Sequence, residues 1–188
     1  KKAIASATLS MAKDLYNAKD FEGAAAAFVK AKEVAEGYGE TEIAEEAAEL
    51  VNQANALKFN TEGKAAMKAK DYPTAIEAFT KVLELEPGNG NAALQLGQAY
   101  YRNNQFDEAV TALTTAQENG QGTNATKLLS QVYLKKAQAD IKAKNYEAAL
   151  ENCAKSNEYV ESANAYKLSA SAAQKLNKNK DVVAFYEK

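Results

Sequence analysis

Chemistry in this 188-residue chain falls to Asp, Glu, Lys, Ser, Thr and Tyr, because the sequence holds no His, no Trp and one Cys. That excludes a Ser-His or Cys-His catalytic pair, a His-ligated metal, a cysteine zinc site and an internal disulfide. Glu42, Glu45, Glu46 and Glu49 sit at helical spacing and could hold a hard cation. Nothing else converges on them, so an exposed acidic face near a helix N-terminus is the favoured reading. Arg102, the only arginine, follows Tyr100 and Tyr101 and could stack on a ring or grip a carboxylate with both arms of its guanidinium. No pairing of the remaining groups forms a catalytic constellation. The expectation is a noncatalytic protein that uses neither cofactor nor metal.

A net charge of -2 supplies no overall cationic field for gathering phosphates, which argues against nucleic acid as a partner. Every apolar run is cut by Lys, Glu, Asp or Asn well short of the roughly 18 to 20 residues that span a bilayer, so no membrane span is expected. The chain opens on Lys1 and Lys2 rather than Met and shows no apolar core of a signal peptide, as trimming or leader removal would leave it. A lone Cys153 fits a reducing or an oxidising compartment equally. With 46% hydrophobic residues, 9 Gly and only 2 Pro, the composition is that of a folded, helix-favouring chain.

The elements that must position these side chains repeat. The segment Asp71-Tyr72-Pro73-Thr74-Ala75-Ile76-Glu77-Ala78-Phe79 has relatives beginning at Asp20, Gln105 and Asn145. Each places an aromatic residue (Phe21, Tyr72, Phe106, Tyr146), then Ala three positions on (Ala24, Ala75, Ala109, Ala149). A larger apolar residue or Cys follows four further on (Phe28, Phe79, Leu113, Cys153), which is helical spacing for one buried face. A fainter fifth copy runs from Ala163, with Tyr166, Ala170 and Tyr186 in register. Tyr72 and Phe106 are 34 residues apart.

That period, with Leu96-Gly97-Gln98-Ala99-Tyr100 and with Ala75, Phe79 and Pro87, resembles the tetratricopeptide repeat family. The resemblance implies an all-α, right-handed superhelical array of antiparallel helix pairs in a single domain, 1–188. Its repeats would fall at approximately 5–40, 41–89, 90–122, 123–160 and 161–188, the last incomplete. Small residues where paired helices cross would be Ala12, Gly63, Gly97, Ala137 and Ala170 in the first helices and Ala24, Ala75 and Ala109 in the second. The intervals of 51 and 40 residues between the other aromatics add about 17 and 6 residues ahead of two first helices. Thr41 to Lys70 then reads as one helix of roughly 45 Å that projects beyond the stack, or as a separate helix over 41–54 folded back on it. The other extension starts near Thr123. The tyrosines Tyr72, Tyr100, Tyr133 and Tyr146 and the lone Cys153 take core positions of the repeat.

In such an array the first helices line a concave face. Projected onto this sequence, that face carries Lys13 and Asn17; Asn60, Lys64 and Lys68; Gln95, Gln98, Tyr101 and Arg102; Lys135, Gln138 and Lys142; then Asn164 and Lys167. It is polar and locally basic, suited to an acidic or C-terminal peptide, with the amides holding extended backbone. Relatives that clamp a terminal carboxylate need Lys and Asn, then Asn, then a Lys and Arg pair. Here Asn60 and Lys64, Gln95, and Gln131 with Lys135 depart from that set, so only a generic anion-tolerant groove carries over. The implied function is an interaction scaffold for a protein or peptide partner. Self-association through the elongated helices and the uncapped apolar segment Val182–Lys188 is the alternative.

Overall fold

The computed structural model describes residues 1–187, which form ten α-helices and no strand. These are α1 (Lys2–Asn17), α2 (Phe21–Tyr38), α3 (Thr41–Ala69), α4 (Tyr72–Leu85), α5 (Gly90–Arg102), α6 (Phe106–Ala116), α7 (Gly122–Lys142), α8 (Tyr146–Tyr159), α9 (Ala163–Lys175) and α10 (Asn179–Tyr186). They divide into two compact units, Lys1–Gly88 and Asn89–Lys188. Within each unit successive helices pack on one another in chain order.

The hairpin turns are built alike. Lys19, Lys70, Asn104, Lys144 and Asn177 each take left-handed backbone, with φ between 58° and 64°. The amide after each one donates to a carbonyl five residues back. Asp20 reaches Leu15 at 3.1 Å, Asp71 reaches Ala66 at 2.9 Å, Gln105 reaches Tyr100 at 2.9 Å, Asn145 reaches Asp140 at 2.8 Å and Lys178 reaches Ala173 at 2.9 Å. This is the Schellman closure, which satisfies carbonyls that a helix end leaves without partners. In the first two turns the next residue also caps the second helix, Asp20 accepting from the Gly23 amide and Asp71 from the Thr74 amide. None of the five turn residues is glycine, so each carries the Cβ penalty of left-handed backbone. Lys144→Gly should therefore raise the free energy of unfolding by about 0.5–1 kcal/mol, read from the urea midpoint, despite glycine's greater unfolded-state entropy.

In the first unit Leu9, Ala12, Ala24, Phe28, Ala31, Ala47 and Ala54 form one buried cluster, with Tyr16, Ile43, Leu50 and Val51 against it. Five of those residues, Ile43, Ala47, Leu50, Val51 and Ala54, lie in the first half of α3. Helix α3 is thus continuous, as one of the two readings had it, but it does not project. Its added residues close the core of the α1–α2 hairpin, because the apolar stripe they carry would otherwise face water. The chain enters α3 through Gly39, whose left-handed φ of 73° ends α2. The second half of α3 crosses α4 at Gly63, where a Cβ would stand 2.8 Å from the Phe79 ring.

In the second unit Gly97 meets Leu113 in the same manner, a Cβ there falling 2.6 Å from Leu113 Cγ. Between α6 and α7 the chain turns through Gln117–Gln121, with Asn119 and Gly120 outside helical φ/ψ. The extension at the start of α7 is also consumed internally, since Ala125 and Leu129 are fully buried. Further along, Ala137, Cys153 and Ala165 form a cluster backed by Leu134 and Leu168. The buried Ser130 and Ser156 hydroxyls satisfy each other at 2.9 Å. Of the apolar C-terminal segment, Val182 and Phe185 are half-buried, while the side chains of Val183 and Tyr186, and Lys188, lie outside the described residues.

Candidate functional site

The side chains read as a concave face occupy one stripe on each first helix. On α5, Gln95, Gln98 and Arg102 follow i, i+3, i+7 spacing with Tyr101 beside them; on α7, Lys135, Gln138 and Lys142 do the same. Gln95, Gln98 and Tyr101 are half-buried, and Arg102, Lys135, Gln138 and Lys142 are exposed. Helices α5 and α7 touch directly. Where the two stripes converge, Tyr101, Arg102 and Lys135 share a cavity of about 170 Å³ with Asn104 and Phe106. The Tyr101 and Phe106 ring centroids are 6.3 Å apart at 52°, so the rings form an angled wall rather than a stack.

Charge separates this hollow from the larger ones. A 410 Å³ cavity in the first unit is lined by Lys32, Glu36 and Glu45, and Lys32 pairs with Glu36 at 3.7 Å. A 610 Å³ cavity over α6–α8 contains Asp107, Glu108, Lys136 and Asp140. There Lys136 pairs with Asp107, and Asp140 accepts from Asn152 at 2.7 Å. A third, of 440 Å³, is walled by Leu150, Ala154, Tyr166 and Phe185 and holds Glu158. The Tyr101–Lys135 hollow has two cationic side chains and no carboxylate in its wall. Among the described residues neither Arg102 nor Lys135 makes an ion pair, so their charge is uncompensated at short range. Arg102 is the last residue of α5, where a cation is also favoured by the helix dipole.

The remaining site residues are not part of this hollow's lining. On α3, Asn60 is half-buried while Lys64 and Lys68 are exposed and make no ion pair among the described residues. Asn17 is exposed at the end of α1, and Asn164 and Lys167 are exposed on α9. Lys13 is half-exposed, and its ammonium is 2.6 Å from Glu46 Oε1, which joins α1 to the start of α3. That contact also answers for one member of the acidic cluster. Cys153 is fully buried, and desolvation pushes its thiol pKa up, with a Ser169 hydrogen bond opposing. It is a core residue and a poor nucleophile.

Asn104 and Phe106 were not among the expected site residues. Asn104 is the left-handed turn residue and Phe106 begins α6, so a tight hairpin places both beside the end of α5. The aromatic that marks each repeat was the signal for Phe106, read there as packing alone.

No helix among the described residues is long and apolar enough to cross a membrane. Residues 66–132 match the model of the tetratricopeptide repeat family. The Hsp70-Hsp90 organizing protein of Triticum aestivum is 31% identical over 103 residues, covering 52% of this chain and 18% of that protein. Sperm-associated antigen 1 of Rattus norvegicus is 37% identical over 78 residues, covering 41% of this chain and 9% of that protein. The chain thus spans less than a fifth of the length of these curated relatives. Among solved structures, the TPR2B-domain:pHsp70-complex of yeast Sti1 aligns with a TM-score of 0.40 at 24% identity, over 64% of this chain and 97% of that one.

Proposed function

We propose, from the premise that this chain is a tetratricopeptide-repeat protein, that it is a noncatalytic scaffold which holds an acidic segment of a partner protein on its first-helix faces. Proteins built of this repeat mediate protein–protein interaction, and the wheat relative's name makes it an organiser of two other proteins. The observation that carries the acidic preference is the juxtaposition of Arg102 and Lys135 in one hollow without a carboxylate. Two uncompensated cations in a concave wall focus potential on an anion, and the flanking Gln95, Gln98 and Gln138 amides can both donate to and accept from extended backbone. Lys64 and Lys68 give the last two turns of α3, in the first unit, the same sign. A Glu-rich decapeptide titrated into the intact chain should bind with an affinity that falls steeply as salt rises; absence of binding at low salt would overturn this reading.

Self-association is the second reading. Both helix extensions bury their apolar faces within their own unit, which leaves a mainly polar outer surface on each. Helix α1, however, exposes Ile4 (51%), Met11 (69%) and Leu15 (37%) along one face. If a second copy covers that stripe, sedimentation velocity will show concentration-dependent dimers that Met11→Lys abolishes; a monomer at all concentrations removes this alternative.

A further inference from the structure

We propose that the Tyr101–Lys135 hollow is a receptor for a phosphorylated side chain, a phosphomonoester dianion on a partner peptide; this rests on the acidic-segment reading and narrows it. A carboxylate carries one negative charge and is neutralised by a single cation. This wall presents two, Arg102 and Lys135, and neither has an ion-pair partner among the described residues. The nearest acid along the chain, Asp107, is already held by Lys136. A phosphomonoester above its second pKa, roughly 6, carries close to two charges and three acceptor oxygens. The donors here match that demand: a guanidinium fork, an ammonium and the Asn104 amide. The cavity of about 170 Å³ is larger than a carboxylate needs, and its remaining wall is the Tyr101 and Phe106 rings, which suit the carbon stem or ring that bears the phosphate.

The test is an NMR titration of the isotope-labelled full chain with four small probes: N-acetyl-phosphotyrosine amide, N-acetyl-phosphoserine amide, N-acetylglutamate amide and inorganic phosphate. The Glu-rich decapeptide is titrated in parallel. Both phospho-amino acids should bind about tenfold more tightly than the glutamate probe, with the largest shifts at Tyr101, Arg102, Asn104 and Lys135. Arg102→Lys and Lys135→Met should each bring the preference down to about twofold or less, whereas Lys127→Met, the same charge change elsewhere on α7, should leave it intact. Equal affinity for phosphorylated and glutamate probes overturns the proposal while a bound decapeptide keeps the acidic-segment reading. Inorganic phosphate binding as tightly as the phospho-amino acids overturns the peptide assignment in favour of a free anion. A decapeptide that fails to bind sinks the broader reading, and the phospho-probes then decide the narrower one by themselves.

Discussion

Reversing Arg102, Lys135 and Lys142 to glutamate together should weaken binding of the Glu-rich decapeptide by about 100-fold or more at low salt. Each exposed charge contributes only about 0.2–1 kcal/mol, but reversal replaces an attraction with a repulsion at three positions on two touching helices. The effect should shrink sharply in 1 M salt, where the screening length is about 3 Å. Stability should fall by no more than about 2 kcal/mol, since none of the three side chains is buried and none makes an ion pair among the described residues. What loss there is has an identifiable origin. Arg102 and Lys142 lie in the last turns of α5 and α7, where a carboxylate meets the negative end of the helix dipole at a cost of about 1 kcal/mol each. The neutral set Arg102→Gln, Lys135→Gln and Lys142→Gln separates the two effects, because it removes attraction with less of that penalty. Decapeptide affinity unchanged in the reversed protein would place the binding surface elsewhere on the chain.

The packing was legible in the sequence to the level of individual residues. Ala12, Gly63, Gly97 and Ala137 each stand sixteen positions before Phe28, Phe79, Leu113 and Cys153, and all eight are buried. A small residue in the first helix and a filling residue in the second is a statement about one crossing point, so it survives insertions elsewhere. The fate of the insertions was less legible. The same period that locates the crossings treats residues 41–54 as surplus, although Ile43, Ala47, Leu50, Val51 and Ala54 form a stripe that must be covered. Their partner is the α1–α2 hairpin, and the approach that buries them also brings Lys13 to Glu46. Nothing local to either residue encodes that ion pair. The hollow beside Arg102 was half legible: helical spacing gave Tyr101, Arg102 and Lys135, but Asn104 enters only through a left-handed turn that carries no glycine to announce it.

The other large effect concerns the crossing of α3 and α4. Phe79 is fully buried, and Phe79→Ala should cost about 3–5 kcal/mol, from lost burial and the cavity left behind. Gly63→Ala ought on propensity alone to stabilise the middle of α3 by about 1 kcal/mol. The geometry reverses that sign: the added methyl would stand 2.8 Å from two carbons of the Phe79 ring, closer than contact allows, and a fully buried ring has little room to withdraw. A net loss of about 1–3 kcal/mol follows. In the double variant the ring is gone and the methyl enters the space it vacated. The combined loss should therefore fall short of the sum of the two single losses by about 1 kcal/mol or more, measured by denaturant unfolding as a double-mutant cycle. Strict additivity, or a stabilising Gly63→Ala in the presence of Phe79, would mean that the two helices do not meet at this point, and the residue pairing on which the repeat assignment rests would lose its physical basis.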